Sequence, residues 1–128
     1  MKIKNSEIVE FLNGVSGIKE KRLPVKVGYA INKNIRGFED AAVAYEEERR
    51  KILDKYLVLG ADGKPVDADG QISYSDENAY VQDINELLSI ENEIDIQQID
   101  FSELEKCDSE QFDSLSIKDI SMLEFMTK

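Results

Sequence analysis

The sequence predicts a mainly α-helical domain with a small β-hairpin or a few short strands, an α+β fold. Apolar side chains recur at the helical period through the front half, and the segment Gly60–Gly70 contains two Asp-Gly turn dipeptides. With 128 residues, of which 41% are hydrophobic and 34% charged, the chain is expected to form one domain over residues 1–128. Residues 1–58 make a helical front half, and residues 59–128 make an acidic back half that is rich in turns and also helical.

The first helix is predicted over Asn5–Ile18. Asn5 or Ser6 is a suitable N-cap residue, and Glu7 lies near the positive end of the helix dipole. The apolar face of this helix consists of Ile8, Phe11, Leu12, Val15 and Ile18.

A single long central helix is predicted from about Pro24 to Leu57. Proline is well suited to the first helical turn, because its missing N–H would lack a partner there. Apolar or long side chains then follow at steps of three and four, the spacing of one helix face. They are Val27, Ile31, Ile35, Phe38, Ala42, Tyr45, Arg49, Ile52 and Tyr56.

The length of this helix has a consequence for assembly. At 1.5 Å per residue it would extend on the order of 50 Å, whereas a compact domain of this size is roughly 30 Å wide. Such a helix must bend, project or be covered by another chain. We therefore expect a homo-oligomer, in the simplest case a two-fold dimer. Gly28 and Gly37 are the expected bending points, and a sharp bend at Gly37 would instead favour a monomer.

The back half is predicted to hold shorter elements. Leu57–Leu59 and Gln71–Tyr74 flank the turn-rich segment and are expected to pair as a small hairpin. A helix is predicted over Asp76–Ile90, and alternating apolar residues indicate one strand within Glu93–Phe101. The last helix is expected to start at Ser116, where the sequence SIKD resembles a capping box.

The composition excludes several kinds of chemistry. The chain has no histidine, which removes the usual general base and zinc ligand, and its single cysteine, Cys107, has no catalytic partner. No glycine-rich phosphate motif occurs. The sequence therefore predicts a protein that is not an enzyme and that has no cofactor or metal. The charged start, MKIKNSEIVEF, and the absence of long apolar runs predict a cytoplasmic protein that does not enter membranes.

One segment partly matches a calcium-binding loop. In PVDADGQISYSD, Pro65 to Asp76, Asp67 and Asp69 take the third and fifth positions of an EF-hand loop and Gly70 takes its turn position. Pro65 occupies the first position and supplies no ligand side chain. Calcium binding is therefore not expected, and an acidic turn is the better interpretation.

Charge is divided unevenly along the chain. Residues 1–58 hold 12 Lys/Arg and 9 Asp/Glu, a net of +3, whereas residues 59–128 hold 4 and 18, a net of −14. This excess of acid argues against nucleic acid as a partner and favours a protein partner with a basic surface. A solvated acidic surface that aids solubility is the simpler interpretation. The residues expected to bind such a partner are Glu91, Glu93, Asp95 and Asp100.

The basic residues of the front half support an alternative. They could hold a small anionic ligand, or they could face the acidic back half of the same chain, and we favour the second interpretation. Arg49 lies on the apolar stripe, where its stem covers the edge of the core or its head pairs with an acid or a ligand. The candidate anion-binding residues are Lys21, Arg22, Lys26 and Arg49.

The chain resembles an uncharacterised family of small proteins from bacteriophages of Gram-positive bacteria. The similarity lies in an ordered series: LPVKVGYAINKNI, YEEERRKILDKY, DGKPV, ELLSIENEIDI and SMLEFM. It covers most of the chain, although no single motif is specific. The family has no assigned function, so it supplies no catalytic residues. It implies a phage context and a site of action in the cytoplasm of a bacterial host.

Three functions fit these observations. The first is a non-enzymatic protein that binds and modulates a host or phage protein, with host-defence components among the expected targets. The second is an oligomeric sponge that sequesters an anionic nucleotide signal. The third is an accessory protein of virion assembly. The acidic back half and the long helix favour the first.

Overall fold

A computed structural model describes residues 1–61, 63, 67–68 and 71–128. The elements follow from the amino terminus as β1 (Lys2–Lys4), α1 (Asn5–Lys19), α2 (Val25–Gly37), α3 (Glu39–Tyr56), β2 (Asp67–Ala68), β3 (Gln71–Ile72), α4 (Glu77–Ser89), β4 (Glu91–Glu93), α5 (Phe101–Glu105) and α6 (Ile117–Leu123). Short 3₁₀ turns follow α5 and α6, at Lys106–Asp108 and Glu124–Met126. The predicted fold class, mainly helical with a small antiparallel sheet, is confirmed.

Two small antiparallel pairs of strands are present in the described part of the chain. β1 pairs with β4, and β2 pairs with β3 as a hairpin. The predicted contact between Leu57–Leu59 and Gln71–Tyr74 forms in part, because Leu57 bridges Tyr74 and Val58 N–H donates to the Ser73 carbonyl at 3.0 Å. The hairpin thus extends back to the end of α3.

The helix predicted as continuous from Pro24 to Leu57 is divided into two at Phe38, a turn residue whose N–H still donates to the Asn34 carbonyl at 3.1 Å and whose carbonyl accepts from Ala42 N–H at 2.8 Å. α2 ends at Gly37 and α3 begins at Glu39. The Phe38 side chain is 1% exposed, and its ring centroid lies 5.5 Å from that of Phe11. Burying this ring stabilises the break, since a fully buried aromatic side chain contributes about 2–3 kcal/mol. The break lies next to Gly37, one of the two expected bending points.

The hydrophobic core joins the two ends of the chain. α1 and α2 pack against α5, α6 and the 3₁₀ turn that follows α6, and Ile3 of β1 closes one side. Phe11 also meets Phe125 edge-on, with ring centroids 5.2 Å apart. The most deeply buried apolar residues are Ile8, Phe11, Ile18, Val27, Ala30, Ile31, Phe38, Leu123 and Met126.

α3 and α4 pack against each other outside this core. No residue of α3 is fully buried, and the predicted apolar stripe is half-buried against α4 beyond the break. Tyr80 of α4 stacks on Tyr74, with ring centroids 4.3 Å apart, and meets Tyr56 edge-on at 6.3 Å. The Tyr56 hydroxyl donates to Asp83 at 2.9 Å. The two helices therefore form a layer held by aromatic contacts.

The other predicted elements differ mainly in their bounds. The helices expected over Asn5–Ile18 and Asp76–Ile90 correspond to α1 and α4, and α6 begins with the predicted capping box of Ser116 and Asp119. The strand expected within Glu93–Phe101 is displaced, because β4 ends at Glu93. Within the described ranges, no helix has the length and apolar character needed to cross a membrane.

Candidate functional site

Three of the four predicted partner-binding acids lie together on one extended segment. Glu91 and Glu93 belong to β4, and Asp95 follows in the segment after it. All three are exposed, whereas Asn92 and Ile94 between them are half-buried. Alternation along an extended chain therefore directs the three carboxylates to the same outer face. The structure thus presents these acids side by side.

The fourth acid, Asp100, lies at a different surface. It precedes α5 and is exposed. It lines a groove of about 410 Å³ together with Val25, Lys26 and Tyr29 of α2. Val25 is 87% and Tyr29 59% exposed, so apolar surface borders this acid. The structure does not place Asp100 on the face formed by the other three.

Hydrogen bonding between β1 and β4 determines which backbone groups of β4 are free. Met1 and Ile94 exchange backbone hydrogen bonds at 3.0 and 3.1 Å, and Asn5 N–H donates to the Ile90 carbonyl at 2.9 Å. In an antiparallel pair, hydrogen-bonded and non-hydrogen-bonded positions alternate. Glu91 and Glu93, opposite Lys4 and Lys2, are at the non-hydrogen-bonded positions. Their backbone N–H and C=O groups therefore point away from β1.

Two asparagines fix β4 against its neighbours. Asn5 is 5% exposed, and its side-chain amide donates to the Leu87 carbonyl at 2.8 Å. Asn92 donates to the Asn5 side-chain oxygen at 2.9 Å and to the Ile3 carbonyl at 3.1 Å. These bonds join β1, the end of α4 and β4. The acidic face therefore lies on a well-supported element.

The charges on β4 are partly balanced by β1. Lys2 lies opposite Glu93, and Lys4 lies opposite Glu91. The α-amino group of Met1 donates to the Glu93 carboxylate at 2.9 Å, and this hydrogen bond lowers the pKa of Glu93. The Glu93 side chain is nevertheless 72% exposed, so water screens the pair and the carboxylate remains accessible to a partner.

An open groove runs along the other edge of β4. It has a volume of about 520 Å³ and is lined by Asn92 and Glu93 of β4, by Ile94 and Asp95 after it, and by Gly37, Asp40 and Ala41 at the junction of α2 and α3. Its lining includes residues from both faces of the β4 segment and none from β1. The groove therefore follows the edge that β1 leaves unpaired. Asp40 adds a further exposed acid.

Sequence reasoning missed this groove for a physical reason. Its two walls are formed by residues about fifty positions apart, and no local pattern links them. The sequence indicates Gly37 as a bending point only. In the structure, a Cβ at Gly37 would lie 3.8 Å from the Ile94 side chain and 3.9 Å from the Asp95 carbonyl oxygen. The glycine is thus a wall of the groove.

Basic residues of the α1–α2 connection and of the first turn of α2 pair with acids of the back half. Arg22 lies 3.2 Å from Asp113, and its backbone N–H also donates to that carboxylate at 2.7 Å, which lowers the pKa of Asp113. Lys21 lies 3.3 Å from Asp119, and Lys26 lies 3.8 Å from Glu103. These three residues therefore face the acidic half of their own chain.

Arg49 lies on a different element from the other basic residues. Its guanidinium donates to both oxygens of Glu46 on the same helix, at 2.8 and 3.0 Å. This hydrogen-bonded pairing raises the pKa of Arg49. The alternative interpretation, a pair with an acid of the back half, does not occur among the described residues, because the partner Glu46 belongs to the front half. The candidate anion-binding residues thus lie in the α1–α2 connection, in α2 and in α3, and each of them is paired with a carboxylate.

The remaining candidates are a thiol site and a metal site. Cys107 is 2% exposed, and burial raises the pKa of its thiol, so the reactive thiolate is disfavoured. The described ranges contain no group of three or more side chains that could hold a metal ion. Pro65, Asp69 and Gly70 of the calcium-loop match from Pro65 to Asp76 lie outside the described residues.

Comparisons with protein families, curated proteins and solved structures found no match to this chain. The similarity to phage proteins therefore stays a prediction from the sequence.

Proposed function

We propose that this chain is a non-enzymatic interaction protein of phage type, which binds and modulates a host or phage protein with a basic surface. One observation carries the proposal. Three of the four predicted acids, Glu91, Asp95 and Asp100, are exposed and have no ion pair among the described residues, whereas each of the four predicted basic residues lies within 4 Å of a carboxylate of the same chain. The acids are therefore available to a partner, and the basic residues already have internal partners.

The arrangement of the acids also supports this function. Glu91, Glu93 and Asp95 share one face of an element held by buried and half-buried asparagine hydrogen bonds. Pre-organised charges of one sign accelerate the approach of an oppositely charged protein. We place the activity in the cytoplasm of a bacterial host, with host-defence components among the targets.

The experiment is quantitative capture from lysate of a Gram-positive bacterial host, with three forms of the protein. The acid variant combines Glu91→Gln, Glu93→Gln, Asp95→Asn and Asp100→Asn. The matched control combines Lys21→Gln, Arg22→Gln, Lys26→Gln and Arg49→Gln. We expect the unmodified protein and the control to retain the same partner. We expect the acid variant to lose roughly ten- to a hundredfold in affinity, since each exposed charge pair contributes about 0.2–1 kcal/mol.

The control distinguishes this proposal from the nucleotide sponge. Small molecules released from each form are identified by mass spectrometry. If the basic variant alone loses its ligand and the acid variant behaves normally, the chain binds an anion and our proposal fails. Increasing salt is also expected to weaken partner binding, mainly through slower association.

A further inference from the structure

One edge of β4 has no strand partner within the ranges that the structure describes. The two-stranded sheet consists of β1 and β4 alone, so β1 covers a single edge of β4. The backbone N–H and C=O groups of Glu91 and Glu93 point to the other edge, and no backbone hydrogen bond from the described residues reaches them. Such an edge is a template for one more strand.

The space beside this edge is open. The groove along β4 has a volume of about 520 Å³ and is walled on its far side by Gly37, Asp40 and Ala41. An added strand lies about 4.8 Å from its neighbour in a sheet. Gly37 has no side chain to fill this space, and Ala41 has a small one. The groove opens beside Glu93, whereas Gly37 lies within contact range of Ile94 and of the Asp95 carbonyl beyond it.

β1 shows which side chains suit a strand beside β4. It reads Lys2-Ile3-Lys4, with the lysines opposite Glu93 and Glu91 and the isoleucine on the buried face. A strand added at the free edge would lie next to the same carboxylates, and Asp95 and Asp40 also line the groove there. Opposite charges on neighbouring strands stabilise pairing by about 0.2–1 kcal/mol per pair. The free edge is therefore complementary to a segment that alternates basic and apolar residues.

Charge also argues against a second copy of β4 as the occupant. Two β4 strands paired about a two-fold axis would place glutamates of one copy beside glutamates of the other. Like charges directly opposite one another destabilise a sheet. The same carboxylates that attract a basic strand thus oppose this form of self-association.

We propose that the free edge of β4 accepts an added β-strand from a basic protein partner. An extended segment that alternates Lys or Arg with apolar residues hydrogen-bonds to the backbone of Glu91 and Glu93, and its cations face Glu91, Glu93 and Asp95. This inference rests on the proposed function and specifies how the partner binds.

The first test uses two synthetic peptides of about seven residues, close to the usual length of a strand. Both alternate lysine and isoleucine, and one carries an N-methyl group on every residue, which removes the donors on both of its edges at unchanged charge. We expect the unmethylated peptide to bind and to shift the amide NMR signals of Glu91 and Glu93. We expect the methylated peptide to bind at least about tenfold more weakly, since each lost hydrogen bond costs about 0.5–1.5 kcal/mol.

The second test changes the protein itself. Glu93→Pro removes an N–H that points to the free edge and leaves the ladder with β1 intact, as proline is tolerated at such edge positions. Glu93→Gln is the matched control, because it removes the same charge and keeps the N–H. We expect the proline variant to bind the unmethylated peptide about five- to tenfold more weakly than the glutamine variant. Circular dichroism and the ring-shifted signals of the Phe11–Phe38 cluster verify that both variants are folded.

The outcomes separate this inference from the proposed function. Equal affinity for the two peptides, or failure of the unmodified protein to bind either, overturns strand addition. If peptide binding is equal for both peptides and is lost in the four-residue acid variant, the acidic surface binds basic chains without strand addition, and the proposed function survives. If the acid variant binds the peptides as well as the unmodified protein does, both strand addition and the proposed function fail.

Discussion

At the scale of single residues, Asn34 shows how a polar side chain supports the candidate surface. It is 1% exposed, its amide donates to the Gln97 carbonyl at 3.1 Å, and its oxygen accepts from Gln97 N–H at 2.8 Å. These bonds tie α2 to the extended segment that follows β4. The sequence predicted the helix face around Ile31 but not the burial of Asn34, because its partner lies 63 positions away.

Replacing Asn34 tests this link. Asn34→Ala leaves the backbone groups of Gln97 without partners, and we expect a loss of about 1–3 kcal/mol in the free energy of unfolding. Asn32→Ala is the matched control on the exposed face of the same helix and is expected to change stability by less than about 0.5 kcal/mol. Urea denaturation measures both. Equal losses for the two variants would show that the Asn34 bonds do not hold the segment.

At the scale of elements, local patterns predicted most of the helices and part of the hairpin, and missed the pairing of β1 with β4. The helices α1, α4 and α6 follow from apolar periodicity, and the cap of α6 follows from Ser116 and Asp119. β1 and β4 have three residues each, too few for a periodic signal, and they pair across most of the chain. The break at Phe38 likewise depends on distant rings, so the glycine signal alone could not establish it.

The contact between α1 and α6 gives a test at this scale. A Cβ at Gly14 would collide with the sulfur of Met122, whereas nothing lies within 4 Å of one at Gly17. Gly17→Ala is therefore expected to stabilise the protein by about 0.5–1 kcal/mol through helix propensity. Gly14→Ala should gain less, or lose stability, because Met122 must move. Thermal denaturation of both variants measures this, and an equal gain would contradict the observed packing.

At the scale of the whole molecule, the break at Phe38 changes the expected assembly. α2 and α3 have 13 and 18 residues, so their lengths are about 20 and 27 Å, within the width of a compact domain. We therefore predict a monomer by light scattering at micromolar concentrations. A stable dimer mass would show that a second copy covers a face such as the half-buried stripe of α3.

The whole-chain charge division was visible in the sequence, but its spatial meaning was not. Counting charges showed a basic front half and an acidic back half. Only the fold shows that Lys21, Arg22 and Lys26 already pair with acids of the back half, while Glu91 and Asp95 remain free of ion pairs among the described residues. The candidate surface is therefore identified by its acids without ion pairs and not by the net charge of the chain.

The central claim, that β4 presents an open edge lined by acids, is tested most directly by amide hydrogen exchange read by NMR. Ile94 N–H donates to the Met1 carbonyl at 3.0 Å, and the register assigns Asn92 to the same ladder. We predict slow exchange at Asn92 and Ile94 and fast exchange at Glu91 and Glu93, since the last two have no backbone partner among the described residues. Slow exchange at all four amides would show that this edge is already covered and would contradict the claim.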